Sequence, residues 1–586
     1  MTIFDVLSMI GGLSLFMFGM NIMGEALEKK AGGKLKHFLE ALSSNKIKGF
    51  LLGLGVTAVI QSSSATTVMV VGFVNSGVMS LKQAINIIMG ANVGTTVTAW
   101  ILSLTGIEGD SLFMQLLKPT SFTPILALIG IALHMFSKKQ SKKDIGTILL
   151  GFAVLMFGMD TMSSAVKPLA EMEGFRNLLM MFSNPILGVV AGAVITGIIQ
   201  SSSASVGILQ AFAATGQVSM GSAIPIIMGQ NIGTTVTALI SCTGTTKSAK
   251  RAAFVHLYFN LLGTAVVLCV FYGLNAIFHF AILDMAASEL TIAIAHTAFN
   301  VVCTALWLPF SGVLERLAYA TVKGEDENTD EQVEQIDERL LVTPSIALEQ
   351  CRLRVCDMAL LCQEGMEKSM QLLWKYDEKV AKDVRIIEKR ADKYEDMLGN
   401  YMVQLAARSM TEEESNESIK LLHIIGDLER ISDHATNIVE VAEEMLEKKI
   451  TFSGTAKKEL ETLCKAVHHI VGITVDVCMG NDAERALDIE PLEEVIDAIR
   501  DKTRMRHMQR VQDGACTIEL GFVYSDLLVN LERVSDHCSN IGGCMIEMEA
   551  AGPGVHKHLS GLRDKSNQSF VKKYEAYAKE YKLAEL

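Results

Sequence analysis

Up to about residue 320 the chain alternates long apolar runs with short polar interruptions, and beyond that point charge recurs at amphipathic helical spacing. The apolar runs near 3–24, 83–104 and 121–137 predict membrane helices, each close to the ~20 residues that a bilayer crossing needs. Residues 49–79 differ, because "VIQSSSATT" (Val59 to Thr67) divides them into arms of roughly 12 to 15 apolar residues. Neither arm is long enough to cross, so a re-entrant hairpin is expected.

The interruption returns. Gln61, Ser62, Ser63 and Ser64 reappear as Gln200, Ser201, Ser202 and Ser203, 139 residues later. "LFMFGM" (Leu15 to Met20) and "VLMFGM" (Val154 to Met159) keep the same offset, as do "MGANVGTTVTA" (Met89 to Ala99) and "MGQNIGTTVTA" (Met228 to Ala238). This is an internal duplication, with copies over about 1–138 and 139–275. Two more helices, near 252–275 and 290–318, each place a His and an Asn four residues apart: His256 with Asn260, and His296 with Asn300.

One copy crosses an odd number of times, so the second inserts upside down, and the charges agree with this. The loop after the first helix carries Lys29, Lys30, Lys34, Lys36, Lys46 and Lys48, whereas its counterpart has only Lys167 and Arg176. The first loop is therefore expected inside and the second outside. "SKKQSKKD" (Ser137 to Asp144) and "KSAKR" (Lys247 to Arg251) then fall inside, the N-terminus outside, and the C-terminal half in the cytoplasm. The stretch Met1 to Met23 lacks a basic start and an A-x-A-like site, which predicts a first membrane helix and no cleaved signal peptide.

Charge divides the chain the same way. Residues 1–320 hold 18 Lys plus Arg against 13 Asp plus Glu, and residues 321–586 hold 34 against 52, a net of −18. No apolar run in the second part is expected to span a bilayer. Eleven cysteines are scattered without a C-x-x-C pair, as expected for reduced cytoplasmic thiols. No G-x-S-x-G elbow and no Walker loop is present, so an enzyme is not expected. Nor is a nucleic-acid partner.

Small hydroxyl residues also serve close helix packing. Here, however, they come with Gln61, Asn92, Gln200 and Asn231 in two copies of opposite orientation. A broken helix exposes carbonyls at one end and N–H groups at the other, so a cation and an anion each find partners. Neutral hydroxyl and amide oxygens suit Na+; Ser-capped helix N-termini suit an oxyanion such as phosphate. From Gly49 to Leu104 the only charged residue is Lys82. With no buried Arg to clamp it, an anion would lean on co-bound cations, which gives coupling a physical basis. A proton relay would show intramembrane carboxylates, and Asp160 is the nearest candidate.

The paired Q-S-S-S and G-x-N-[VI]-G-T-T-V-T motifs resemble those of the type II sodium-dependent phosphate cotransporter family, over roughly residues 1–320. The resemblance implies an inverted-repeat symporter of inorganic phosphate and Na+ in the inner membrane, in contact with membrane lipid, with a homo-oligomer left open. It places substrate and ion binding on the Q-S-S-S segments, and the candidate binding residues are Gln61, Ser62, Ser63, Ser64, Thr66, Asn92, Thr95 and Thr96, with Gln200, Ser201, Ser202, Ser203, Ser205, Asn231, Thr234 and Thr235. Electrogenic animal relatives carry an acidic residue after the His of H-x-x-F-N; this chain has Leu257.

An acidic linker at 321–343 precedes a helical region at 344–550 and a tail at 551–586. "LERISDHATNI" (Leu428 to Ile438) is echoed by "LERVSDHCSNI" (Leu531 to Ile541), and Glu388 with Asp392 by Glu493 with Asp497, which predicts two three-helix repeats. Together with Glu429, Asp433, Glu532 and Asp536, these pairs are candidate oxygen ligands for metal ions, against the alternative of a solvated charged face. This half resembles PhoU, a helical phosphate-signalling protein, which implies a regulator carrying divalent or iron ions. The fold class expected is all-α: a polytopic membrane domain of inverted repeats with re-entrant hairpins, followed by a cytoplasmic PhoU-like domain. The function expected is Na+-coupled phosphate uptake; the alternatives are a carrier of another oxyanion, such as sulfate or arsenate, and a membrane phosphate sensor without transport.

Overall fold

A computed structural model of the protein describes residues 2–40, 45–107, 115, 118–324, 336–408, 410–549 and 568–584. Most of the acidic linker, 325–335, lies outside the described residues, as do the side chains of Lys34, Lys36 and Arg176. The chain forms two compact units, Met1–Asp330 and Glu331–Leu586. Both are helical; the one β contact among the described residues is an isolated bridge between Ser219 and Ala286.

In the first unit, copy one comprises α1 (Ile3–Glu40), α2 (Lys46–Ile60), α3 (Ser63–Asn75), α4 (Leu81–Gly94), α5 (Thr96–Ser103) and α6 (Pro119–Phe136). Copy two comprises α7 (Gln140–Val166), α8 (Glu173–Met181), α9 (Pro185–Ile199), α10 (Ser202–Ala213), α11 (Met220–Gly233), α12 (Thr235–Ser241) and α13 (Lys247–Phe278), and α14 (Glu289–Trp307) and α15 (Ser311–Thr321) follow. At 15 and 13 residues, α2 and α3 are each about 20 Å long at 1.5 Å per residue, short of a ~30 Å hydrocarbon core. They form the hairpin expected from sequence, and α9 with α10 repeats it.

Three expectations need correction. The first helix runs on to Glu40, so Lys29, Lys30, Lys34 and Lys36 lie on it and not in a loop. The helix expected near 83–104 stops at Gly94 and restarts at Thr96, and the one expected near 290–318 breaks between Trp307 and Ser311, where Pro309 cannot donate a backbone hydrogen bond.

Inversion is visible in how α1 meets α7, its counterpart. A Cβ on Gly12 would lie 3.0 Å from the Gly158 carbonyl oxygen, and one on Gly19 would lie 2.6 Å from that of Gly151. Residue numbers rise along one helix as they fall along the other, so equivalent helices run antiparallel. Accordingly, Lys30 near the end of α1 bonds Ser141 at the start of α7, at 3.3 Å. Phe16, Met20, Met23, Leu155, Met156, Met159 and Met162 fill this seam. The outer surface stays apolar, with Phe136 82% and Ile198 77% exposed, as a lipid-facing surface requires.

Eight helical stretches among the described residues are long and apolar enough to cross a membrane, seven of them in the first unit. The eighth, Gly454–Gly480, corrects the expectation that the second part holds no such run. Its apolar residues, among them Leu460, Leu463, Val467 and Ile470, are buried against the other helices of its own unit.

That unit contains α16 (Pro344–Leu372), α17 (Glu378–Ala406) and α18 (Glu412–Glu447), then α19 (Gly454–Gly480), a short α20 (Ala483–Ala486), α21 (Ile489–Gln512) and α22 (Ile518–Glu549). Side-chain caps start α17, α18, α19 and α20, including a capping box between Thr411 and Glu414. The tail holds α23 (Gln568–Glu580), which docks on this unit through Lys573 and Asp488 at 2.6 Å and His469 and Tyr581 at 2.8 Å.

Glycines set the spacing of the hairpin arms. A Cβ on Gly53 of α2 would sit 2.0 Å from the Ile87 carbonyl oxygen of α4, while one on Gly55 meets nothing within 4 Å. Gly53→Ala should therefore destabilise the first unit by about 1–3 kcal/mol through forced separation of α2 and α4. Gly55→Ala should be neutral or gain up to about 1 kcal/mol in helix propensity. Thermal unfolding in detergent compares the two; equal midpoints would refute the close backbone approach.

Candidate functional site

The hairpin turn is built the same way twice. α2 ends at Gln61 with φ 61° and ψ 21°, and its N–H donates to the Thr57 carbonyl at 2.8 Å. Ser62 is extended, and its hydroxyl accepts the Ala65 N–H at 3.1 Å, capping α3. In copy two, Gln200 has φ 57° and ψ 22°, and Ser201 caps α10 through the Ala204 N–H at 3.2 Å. A glutamine at positive φ is uncommon and costs backbone energy, so surrounding contacts must hold it. Thr57 donates to Thr66 across the arms at 3.0 Å, and Thr196 donates to Ser205 at 2.8 Å. Ser63, Thr66, Ser202, Ser203 and Ser205 are buried in the first turns of α3 and α10, with Ser62, Ser64 and Ser201 half-buried.

The second motif lies at the gap between α4 and α5, and at that between α11 and α12. Asn92 spends its N–H on the Ile88 carbonyl at 2.9 Å and Asn231 on that of Ile227 at 2.8 Å, which leaves each amide oxygen directed elsewhere. The Asn92 oxygen accepts from Asn260 of α13 at 3.4 Å. Thr96 donates across the gap to the Val93 carbonyl of α4, and Thr235 to the Ile232 carbonyl of α11, each at 2.7 Å.

Here the copies part. In copy one, Thr98 donates to the Gln61 side-chain oxygen at 2.9 Å, Thr95 donates to the Ala91 carbonyl at 3.1 Å, and Gln61 is buried. In copy two, Gln200 is exposed, and the hydroxyls of Thr234 and Thr237 are buried without a partner among the described residues. Gln230 stands where copy one has Ala91. Its amide nitrogen donates to the Ser205 carbonyl at 3.0 Å, which fixes its orientation because a carbonyl can only accept. Its oxygen is then buried without a partner among the described residues. Gln230, Thr234 and Thr237 fall at i, i+4 and i+7, one face of the α11–α12 segment. Three uncharged, unpaired oxygens there, each costing about 1–3 kcal/mol when left unmatched, favour a desolvated cation.

The copies also interlock. α3 packs against α12 and α10 against α5, the reciprocal arrangement of a two-fold. Gln210 of α10 bridges the carbonyls of Ala99 and Glu289 at 3.1 and 2.9 Å. Thr57, Thr98, Thr196 and Thr237 were open to discovery by the 139-residue offset alone. Gln210 and Gln230 were not, because copy one has Val71 and Ala91 at those places. His256 and His296 are buried, with neither ring nitrogen paired among the described residues.

In the C-terminal unit, oxygens of Glu388, Asp392 and Asp433 lie within 4.8 Å of one another, as do those of Glu493, Asp497 and Asp536; Glu429 and Glu532 stand outside these groups. Burial, reinforced by Asp433, pushes the Glu429 carboxyl up to about 7. Burial with Asp392 and Asp433 raises Glu388, and burial with Asp433 raises Asp392. Burial and Asp536 raise Glu532 against the pull of Arg500, and burial and Asp497 raise Asp536. The histidines of the repeated string tie α18 to α22: His434 bonds Asn530 at 2.9 Å and His537 bonds Asp427 at 2.8 Å.

Residues 15–164 and 154–294 match the family model described as Na+/Pi-cotransporter, and residues 355–442 and 460–545 match that of the PhoU domain. A protein named for inorganic phosphate export, YjbB of Escherichia coli (strain K12), is 24% identical over 549 residues, covering 92% of this chain and 97% of its own. YqeW of Bacillus subtilis (strain 168) is 32% identical over 310 residues, covering 52% of this chain and 95% of its own. Sodium-dependent phosphate transport protein 2A of Rattus norvegicus is 39% identical over 99 residues, 16% of this chain and 15% of its own. The two hairpins, their duplicated motifs and these matches agree: the chain is a multi-pass membrane protein of the Na+/Pi-cotransporter family with C-terminal PhoU domains.

Proposed function

We propose that this protein is a symporter that moves inorganic phosphate inward across the cytoplasmic membrane with Na+, using the paired Q-S-S-S hairpins as its binding site. The observation that carries this is a duplicated break lined by neutral oxygens, with Ser-capped N-termini on α3 and α10 and no charged side chain at either turn. Backbone N–H groups meet the anion, and amide and hydroxyl oxygens meet Na+. Because no arginine offsets the phosphate charge, Na+ must be present for the anion to stay, and this is the coupling. A second reading, export, draws on the name of the Escherichia coli relative. The C-terminal unit is a cytoplasmic regulator carrying a divalent or iron cation on its acidic residues.

Proteoliposomes loaded under a gradient of Na+, Li+, K+ or protons, and assayed with radiolabelled phosphate, test the reading. Accumulation driven by Na+ alone supports it. Accumulation driven equally by a proton gradient sinks Na+ coupling, and binding without accumulation favours a sensor.

Gln61→Ala should weaken apparent Na+ affinity by about 5- to 150-fold, since losing one hydrogen-bonding partner in a desolvated site costs about 1–3 kcal/mol, and Gln200→Ala, at an exposed position, should weaken it by less. Ser76 lies past the first break and bonds back to the Gly72 and Phe73 carbonyls at 3.0 and 3.3 Å, so Ser76→Ala should transport normally. Wild-type Na+ dependence in both glutamine variants would make the hairpins packing devices.

For the orientation, Lys30→Cys should react with a membrane-impermeant maleimide only from the cytoplasmic side, and Lys167→Cys only from outside. Labelling of both from one face would contradict the N-out arrangement.

A further inference from the structure

The two acidic clusters of the C-terminal unit look equivalent in sequence, and the PhoU resemblance implies a metal at each. The donors around them are not equivalent. In the second repeat, Arg500 reaches into the cluster with its side chain only 20% exposed. One of its terminal nitrogens lies 3.1 Å from Asp497 and 3.2 Å from Glu532, and the other lies 3.4 Å from Asp501. The guanidinium thus engages one carboxylate of the group, Asp497, together with the flanking Glu532 and Asp501, and places a fixed positive charge beside the position a metal would take.

The first repeat has the opposite charge at that point. Glu395 is the counterpart of Arg500 at the 105-residue offset that relates Glu388 to Glu493, and Asp396 that of Asp501. Among the described residues no Lys or Arg makes an ion pair with Glu388 or Asp392. The nearby cations, Lys389 and Arg430, are exposed, and Arg430 stands 3.8 Å from Asp433. Arg533 occupies the equivalent outer position in the second repeat, 3.5 Å from Asp536, so the flanking arginines cancel in the comparison. What remains is a swing of two charges at one helix position. Buried or half-buried carboxylates either take up a proton or are balanced by a cation. The second cluster has its own in Arg500; the first does not.

We propose that Arg500 acts as a built-in counter-cation that closes the second cluster to metal, so that any cation carried by the C-terminal unit sits at Glu388, Asp392 and Asp433. This rests on the reading of that unit as cation-bearing. It differs from that reading in stoichiometry: one occupied cluster per chain in place of two.

Full-length protein in detergent, titrated with Mn2+ and followed by the electron paramagnetic resonance of the free ion, counts tight sites directly. Elemental analysis of protein purified without chelators gives the native load. Asp433→Asn should weaken tight Mn2+ binding at least tenfold, while Asp536→Asn leaves the count unchanged. Arg500→Gln should add a second set of sites, and Glu395→Arg should abolish the first. Circular dichroism and elution volume identify any variant that fails to fold. If Asp536→Asn loses as many ions as Asp433→Asn, or if folded Arg500→Gln gains none, the closure is wrong. A wild type without Mn2+ sites would overturn the cation-bearing reading itself, and Arg500→Gln would still decide whether the arginine is what keeps the second cluster closed.

Discussion

Opening a helix inside a bilayer is costly, because hydrocarbon offers no partner for the N–H and C=O groups set free. This chain does so at Gln61 and again at Gln200, and most of the first unit can be understood as the support those two turns require. The arms are bound to each other by Thr57 with Thr66 and by Thr196 with Ser205. Glycines bring α4 against α2 and α11 against α9 at backbone contact, and the turn at Gln61 is enclosed by protein while Gln200 stays exposed. A left-handed glutamine then persists because its neighbours leave it no other place.

Enclosure also explains the absence of charge. An arginine at such a turn would hold phosphate at any Na+ concentration and would have to be stabilised when phosphate left. On the proposed reading, neutral oxygens bind weakly and release easily, and the anion's affinity becomes conditional on the cation. The two-fold that relates the copies lets each hairpin meet the other copy's second motif through α3 with α12 and α10 with α5. Each hairpin is therefore packed against residues that flank the other turn.

The hairpins and the duplication are readable in the sequence because short apolar arms and an exact 139-residue offset are properties of the chain itself. Inversion is readable through lysine placement, and the antiparallel meeting of Gly12 with Gly158 and Gly19 with Gly151 is its structural form. The extension of α1 to Glu40 is not readable from apolarity, since hydropathy ends where the lysines begin while the helical hydrogen bonds continue. The partners of Gln61 and Gln230 are also out of reach: Thr98 and Ser205 are brought to them by tertiary packing of separate helices. In the C-terminal unit the acidic pairs are readable by their spacing, but whether a cation already sits among them depends on where Arg500 points.

Both halves of the chain show the same relation between symmetry and difference. The duplicated backbone is held closely, with the turns at Gln61 and Gln200 agreeing within a few degrees. The copies then differ by single substitutions at equivalent positions: Gln230 against Ala91, Gln210 against Val71, Arg500 against Glu395, and Asp427 against Asn530. In the membrane unit, the added amides leave one copy with unpaired oxygens where the other is internally satisfied. In the C-terminal unit, one arginine satisfies a cluster that its twin leaves open. A duplicated fold needs its backbone symmetry to pack, and on the readings proposed above it breaks side-chain symmetry where only one of the two sites holds an ion.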